Sequence, residues 1–71
     1  MEHQIVRILS ETRWRGVMLW VNSSLDGERQ YTGCLVGADL HPNYDTQPDT
    51  RRSTVEEVLD DLLGTALMTD D

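Results

Sequence analysis

The clearest hydrophobic pattern in the chain is the alternation within residues 15–23. Apolar side chains fall on both sides of an extended chain here, Val17, Leu19 and Val21 on one side and Met18 and Trp20 on the other. Because successive side chains of a strand point to opposite faces, this pattern predicts a β-strand. A turn signal follows in Ser24-Leu25-Asp26-Gly27, and residues 29–36 are predicted to return as an antiparallel strand.

Residues 4–10 form a second apolar cluster, and its β-branched content favours a strand. Ile5, Ile8 and Leu9 also fit one face of a helix, because they recur at helical spacing. We predict a strand here, which would complete a three-stranded antiparallel meander with the two strands above.

Residues 37–52 are rich in turn formers and show no hydrophobic period, which predicts a long loop. Connections longer than about 12–15 residues without secondary structure are uncommon in compact domains, and those that occur are usually functional or disordered. This loop is therefore a candidate contact surface.

An amphipathic helix is predicted over residues 54–67. Ser53 is expected to be its N-cap, and Glu56, three residues later, would complete a capping box. Gly64 either ends this helix or lies on its exposed face. The apolar side consists of Val55, Val58, Leu59, Leu62, Leu63 and Ala66, and the acidic side consists of Glu56, Glu57, Asp60 and Asp61.

Together these elements predict an α+β fold of order β-β-β-α in a single domain over residues 1–71. One helix can cover only one face of a three-stranded sheet. The face formed by Val17, Leu19 and Val21 is the one predicted to receive it.

The opposite face of the predicted sheet carries Met18 and Trp20, with Trp14 in line if the strand extends that far. An exposed apolar patch of this kind usually marks a protein interface, where Trp and Met are enriched. The pattern therefore predicts a homodimer through the sheet, or a partner that occupies it. The alternative is that the loop folds back and covers the patch with Tyr44.

Charge adds a second candidate surface. The chain of 71 residues has a net charge of −7, and all 6 basic residues are arginine. Residues 1–36 contain as many arginines as acids, so the whole excess lies in residues 37–71. A localised acidic field steers association with a basic partner and repels nucleic acid and anionic membranes. The plainer interpretation is that these acids only keep a small protein soluble.

No pattern of catalytic or cofactor-binding residues is present. Cys34 is the single cysteine, and its position in the middle of a strand predicts a buried, inert thiol. Four loop residues have side chains of a kind that binds divalent ions, but their spacing matches no known metal-binding loop. These are Asp39, His41, Asp45 and Asp49. We therefore predict no metal, no cofactor and no enzymatic activity.

Trp14 lies between Arg13 and Arg15, a combination that also occurs at nucleic-acid contacts. Nucleic-acid binding needs several phosphate contacts, and the arginines here lie in an electrically neutral part of the chain. The favoured interpretation is a cation–π contact of arginine with the tryptophan ring. Direct binding to nucleic acid is not expected. No apolar run is long enough to span a bilayer, so we expect a cytoplasmic protein without membrane contact.

The run Thr54-Val55-Glu56-Glu57-Val58-Leu59 after a β-meander resembles the helix start of HicB-type antitoxin domains, small β-rich modules that cap a toxin. The glycine-centred turn that precedes that helix in the family is replaced here by residues 49–52, so the chain is not assigned to it. The overall plan also resembles, at the level of class only, small phage-encoded inhibitors of host defence such as anti-CRISPR proteins.

These observations predict a non-enzymatic, acidic protein-binding module, an inhibitor or regulator from a phage or mobile element. It would act as a nucleic-acid mimic that occupies a basic groove on a nucleic-acid-binding protein. The alternative is a small homodimeric structural or antitoxin-like subunit that binds through the Trp/Met face. The predicted contact residues are Glu56, Glu57, Asp60, Asp61, Asp45, Asp49, Tyr44, Trp14, Met18 and Trp20.

Overall fold

The computed structural model describes residues 2–23 and 25–69. Its elements are helix α1 (Glu2–Glu11), strands β1 (Gly16–Ser23), β2 (Arg29–Val36) and β3 (Pro42–Asn43), a 3₁₀ helix (Tyr44–Thr46) and helix α2 (Val55–Thr69). The strands form one antiparallel sheet in the order β1-β2-β3. The predicted α+β fold, with a three-stranded antiparallel sheet and a C-terminal helix, is confirmed.

The strand predicted at residues 4–10 is wrong, because this segment forms helix α1. Gln4 and Ile8 lie one helical turn apart and are both buried. The side of the helix that carries them therefore packs against the rest of the molecule. Arg7 and Glu11 form an ion pair of 2.7 Å across the next turn, which further supports a helix. The preference of the β-branched residues for a strand is weaker than the stabilisation that the helix gains from this packing.

The third strand comes instead from the segment predicted to be a loop. Leu35 and Val36 of β2 pair with Asn43 and Pro42 of β3. Further along the same edge, Arg52 pairs with Tyr31 of β2 through two backbone hydrogen bonds, of 2.6 Å and 2.9 Å. The segment predicted as a long loop over residues 37–52 therefore contains a two-residue strand, a 3₁₀ helix and a β-bridge, joined by turns.

Between these two contacts, Thr46 completes the edge of β2 with its side chain. Its hydroxyl accepts a hydrogen bond of 2.8 Å from the backbone N–H of Leu35 and donates one of 2.6 Å to the carbonyl of Asn43. The Asn43 side chain in turn caps the 3₁₀ helix by accepting a hydrogen bond from the backbone N–H of Asp45. The side chains of Thr46 and Asn43 thus hold this segment along β2. The composition of the segment does not reveal that role.

Helix α2 is capped one residue later than predicted. The Glu57 N–H donates to the Thr54 hydroxyl at 3.2 Å, and that hydroxyl lies 2.9 Å from Glu57 Oε1, so Thr54 and Glu57 take the roles predicted for Ser53 and Glu56. The helix continues through Gly64, which lies on its exposed side.

The core is built from both helices and the sheet. Its cluster consists of Ile8, Trp14, Leu35, Val58, Leu62, Leu63 and Ala66, with Val17 and Tyr31 packed against it. Of the three β1 residues predicted to receive the helix, only Val17 packs against this cluster. Leu19 and Val21 remain 37% and 51% exposed.

The turn between β1 and β2 contains Gly27 at φ 86°, the left-handed region that glycine adopts without steric cost. Ser24 of the predicted turn lies outside the described residues, as do the acidic Asp70 and Asp71. In the part of the chain that is described, no helix is both long and apolar enough to cross a membrane.

Candidate functional site

The acidic side of α2 is exposed along the first half of the helix. Glu56, Glu57 and Asp60 are exposed and Asp61 is half-buried, while the other side of the helix contributes Val58, Leu59, Leu62, Leu63 and Ala66 to the interior. The predicted division of the helix into two sides is therefore correct. The four carboxylates nevertheless differ in their surroundings.

Asp61 is neutralised within the molecule. Its carboxylate accepts two hydrogen bonds from the Arg52 guanidinium, 2.8 Å from Nε and 3.2 Å from Nη2. The hydrogen bond and the charge of Asp61 raise the pKa of Arg52. Asp61 therefore fastens α2 to the segment that precedes it and contributes little to an outward acidic field.

Glu57 and Asp60 have partners that leave their charge intact. Glu57 Oε1 accepts hydrogen bonds from the hydroxyls of Ser53 and Thr54, at 3.1 Å and 2.9 Å. Asp60 Oδ1 accepts one of 2.9 Å from the side-chain amide of Gln4 in α1. Hydroxyl and amide groups are neutral, so these hydrogen bonds fix the positions of both carboxylates without offsetting their charge. Glu57 is nevertheless close enough to Arg52 for its charge to help raise the pKa of that guanidinium.

Glu56 makes no hydrogen bond or ion pair with any other residue that the structure describes. It lies one turn before Asp60, and like charges at this spacing destabilise a helix by roughly 0.2–0.5 kcal/mol. Glu56, Glu57 and Asp60 together form what we call the acidic triad, three carboxylates without an ion-pair partner on one exposed side of α2.

A groove of about 340 Å³ borders the triad at Glu57 and brings positive charge close to it. Its lining consists of Arg29, Arg51, Arg52, Glu28, Gln30, Ser53 and Glu57. The acidic surface is therefore bounded on this flank by arginine, which limits its extent.

The predicted contact residues of the former loop lie in a different place. Tyr44 and Asp45 line a second groove, of about 490 Å³, which is also lined by Arg13, Asp39 and His41. This groove adjoins β3, which pairs with Leu35, whereas α2 begins next to Arg52, which pairs with Tyr31. Because Tyr31 and Leu35 are four residues apart, these two parts of β2 are about 13 Å apart. Asp49, between these two segments in the sequence, is exposed.

The Trp/Met face is smaller than predicted. Trp14 was expected in line with Met18 and Trp20 if the strand extended to residue 14, but β1 begins at Gly16. Trp14 is instead 3% exposed in the core cluster, where its indole N–H donates to the Thr69 hydroxyl at 3.1 Å. Trp14 precedes β1, and the alternation of a strand does not apply there. Arg13 lies over the Trp14 ring at 4.7 Å, which is the cation–π contact that the sequence favoured.

Trp20 is half-buried and meets Tyr44 edge to face, with 6.2 Å between the ring centroids. The alternative in which the segment after β2 folds back with Tyr44 is therefore the one that the geometry favours. Met18 remains 39% exposed beside this pair.

Cys34 is buried, as predicted, and burial raises the pKa of its thiol more than a hydrogen bond from the Asn43 backbone lowers it. Among the described residues no three His, Cys, Asp or Glu side chains are grouped as metal ligands. Of the four loop residues considered as metal ligands, Asp39 accepts a hydrogen bond from the His41 N–H and so closes a turn.

Two residues that shape the site were not predicted. Arg52, which neutralises Asp61, lies before the helix begins, and Gln4, which holds Asp60, is 56 residues away in sequence. The hydrophobic period of α2 cannot reveal either partner. Whether Gln4 and Arg52 reach the helix depends on how α1 and the residues just before α2 pack against it.

We found no family model that matches the chain, and neither a curated protein nor a solved structure shows significant similarity to it.

Proposed function

We propose that this protein is a non-enzymatic binding module that recognises a basic surface on a partner protein through the acidic triad. The observation that carries the proposal is the arrangement of Glu56, Glu57 and Asp60. Three carboxylates without an ion-pair partner share one exposed side of α2, while the opposite side of the helix is used by the core.

The fixed positions of two of these carboxylates support recognition rather than mere solubility. Glu57 is held by hydroxyl groups and Asp60 by the Gln4 amide, so their charges are ordered before any partner arrives. Ordered groups lose less side-chain entropy on binding than mobile ones. A basic groove, of the kind that normally receives nucleic acid, is the surface that such charges complement.

In this proposal the chain acts in the cytoplasm as an inhibitor or regulator, comparable in class to phage proteins directed against host defence. The proposal includes a helix that lies with its apolar side across the Val17 side of the sheet, so that the triad faces outward. The alternative, binding through the Trp/Met face, has less support because Trp14 is buried and Tyr44 contacts Trp20.

The test uses a variant that removes the charges and keeps the hydrogen bonds. In Glu56→Gln/Glu57→Gln/Asp60→Asn the amide oxygens can still accept from Thr54 and Gln4, while the charge rises by three. Asp61 is left unchanged, because its loss would disturb Arg52. The matched control, Val6→Lys/Leu25→Lys/Leu40→Lys, adds the same charge at exposed positions that line neither the triad nor the groove beside it.

Each protein is immobilised and used to capture partners from lysate of the encoding organism. The proposal predicts a partner that is retained by the wild type and the control and lost by the amide variant. A partner that binds the amide variant as well as the wild type would contradict it.

A further inference from the structure

Strand β1 forms an edge of the sheet, and nothing in its sequence protects that edge. In the order β1-β2-β3 it has a partner on one side only among the described residues. It extends over 8 residues, Gly-Val-Met-Leu-Trp-Val-Asn-Ser, without a charge or a proline. Natural edge strands are usually short, charged, interrupted by proline or covered, because an open edge is a template for pairing with another strand.

The hydrogen bonds of β2 show which β1 groups face the open edge. The N–H groups of Tyr31 and Leu35 donate to Arg52 and Thr46, so they point away from β1. Their β1 partners in the register are Val21 and Val17. In an antiparallel pair, residues opposite each other point their N–H and C=O groups either both inward or both outward.

Val17, Leu19 and Val21 therefore direct their backbone donors and acceptors outward, away from β2. These three alternate residues can pair with an added strand, each through one N–H and one C=O. The inner ladder to β2 is carried by the residues between them and does not depend on these groups.

The side chains around this edge are apolar on both sides of the sheet. Leu19 and Val21 are 37% and 51% exposed on one side, and Met18 is 39% exposed on the other. A strand added at the edge would cover these side chains at the same time as it satisfies the outward backbone groups.

We propose that the occupant of this edge is a second copy of the chain, with the two β1 strands antiparallel about a two-fold axis at Leu19, so that Val17 of each copy pairs with Val21 of the other. Charge supports a second copy, because β1 brings no charged residue opposite its own copy and lies in the neutral part of the chain. Arg15, which precedes the strand, would lie near the C-terminal end of the partner's β1, away from the Arg15 of the other copy. A second copy also offers apolar side chains on both faces, which match those at the edge.

The pairing would continue the sheet across the dimer as six strands and leave the acidic triad of each copy on α2. The dimer is therefore independent of the function proposed above, and either can fail without the other.

The test compares Val21→Lys with Val6→Lys. Both positions are exposed valines, at 51% and 55%, and both variants gain the same charge, but only Val21 lies at the β1 edge. In sedimentation equilibrium the wild type and Val6→Lys are expected to reach twice the monomer mass of 8.1 kDa at high micromolar concentration, and Val21→Lys is expected to remain monomeric. Thermal unfolding followed by circular dichroism confirms that both variants are folded.

Amide hydrogen exchange gives a second readout. On raising the wild-type concentration, the amides of Val17, Leu19 and Val21 are expected to become protected, whereas those of Met18 and Trp20 are protected at all concentrations. A wild type that stays monomeric at high micromolar concentration would overturn the proposal. So would a dimer that Val21→Lys forms as readily as the wild type.

Discussion

Arg52 is bound to Asp61 by two side-chain hydrogen bonds, while its backbone pairs with Tyr31 of β2. One residue thus connects the sheet, the segment before α2 and the second turn of α2. This connection divides the acidic side of the helix into one structural carboxylate, Asp61, and three that are directed to solvent.

Asp61→Asn is expected to lower the melting temperature by a few degrees, because the amide keeps one acceptor and loses the charge that Arg52 needs. Glu56→Gln makes the same change of charge one turn earlier, where no described residue is paired with the carboxylate. It is expected to lower the melting temperature less than Asp61→Asn does, because the lost attraction between Glu56 and the N-terminus of α2 is offset in part by relief of its repulsion with Asp60. Equal melting temperatures for the two variants would show that the Arg52–Asp61 contact does not stabilise the fold.

Two glycine substitutions should have opposite effects on stability. In Gly33→Ala the new Cβ would collide with the Met18 carbonyl and lie 2.7 Å from Leu19 Cδ2, so we expect a loss of about 1–3 kcal/mol in the free energy of unfolding. In Gly64→Ala the Cβ meets nothing within 4 Å on the exposed side of α2, and alanine favours the helix by about 0.5–1 kcal/mol. Chemical denaturation measures both, and an unchanged stability of Gly33→Ala would contradict the close approach of the Met18 carbonyl to Gly33.

Leu40 is the one described residue other than glycine with a positive φ, 62°, and its side chain is exposed. A leucine in this conformation is strained by about 1–2 kcal/mol and gains little packing here. Leu40→Gly is therefore expected to stabilise the protein by a few tenths to about 1 kcal/mol. Leu25→Gly, at the exposed leucine of the other turn, is the control and is expected to destabilise the protein. If denaturation midpoints fell equally in both variants, the strain at Leu40 would be disproved.

The Cys34 thiol is expected to be unreactive in the folded protein. Burial removes access to the sulfur and raises its pKa, so less thiolate is present at a given pH than for an ordinary cysteine. Labelling with a chromogenic disulfide should be slow at pH 8 and complete in denaturant. Because the folded-state pKa is raised, the contribution of this thiol to stability should be fully present below the ordinary thiol pKa of about 8.5 and fall as the pH rises above it. Rapid labelling of the native protein would contradict this assignment.

The sequence predicted the elements whose residues carry a strong local pattern. Residues 29–36 coincide with β2, and the boundaries of β1 and α2 differ from the prediction by one or two residues. The prediction for residues 4–10 was wrong because this short apolar run fits the spacing of a strand and of a helix equally well. The packing of Gln4 and Ile8 against α2 selects the helix. Strand β3 consists of only two residues, one of them proline, and is too short to produce any alternation.

The candidate site was predictable only in part, because some of its features depend on tertiary contacts that a local pattern does not show. The division of α2 into an apolar and an acidic side follows from helical spacing alone. Which carboxylates keep an outward charge depends on Arg52 and Gln4, whose positions are set by tertiary contacts. The same holds for Trp14, which lies outside β1 and turns into the core instead of continuing the alternation of the strand.

The most direct test of the acidic triad is the affinity of the captured partner at two salt concentrations. Isothermal titration of wild type, Glu56→Gln/Glu57→Gln/Asp60→Asn and the lysine control is carried out at low and at high NaCl. The account predicts that the amide variant raises Kd by about tenfold or more at low salt, that the control changes it less, and that added salt weakens the wild type most. Equal Kd values for the wild type and the amide variant at low salt would contradict it.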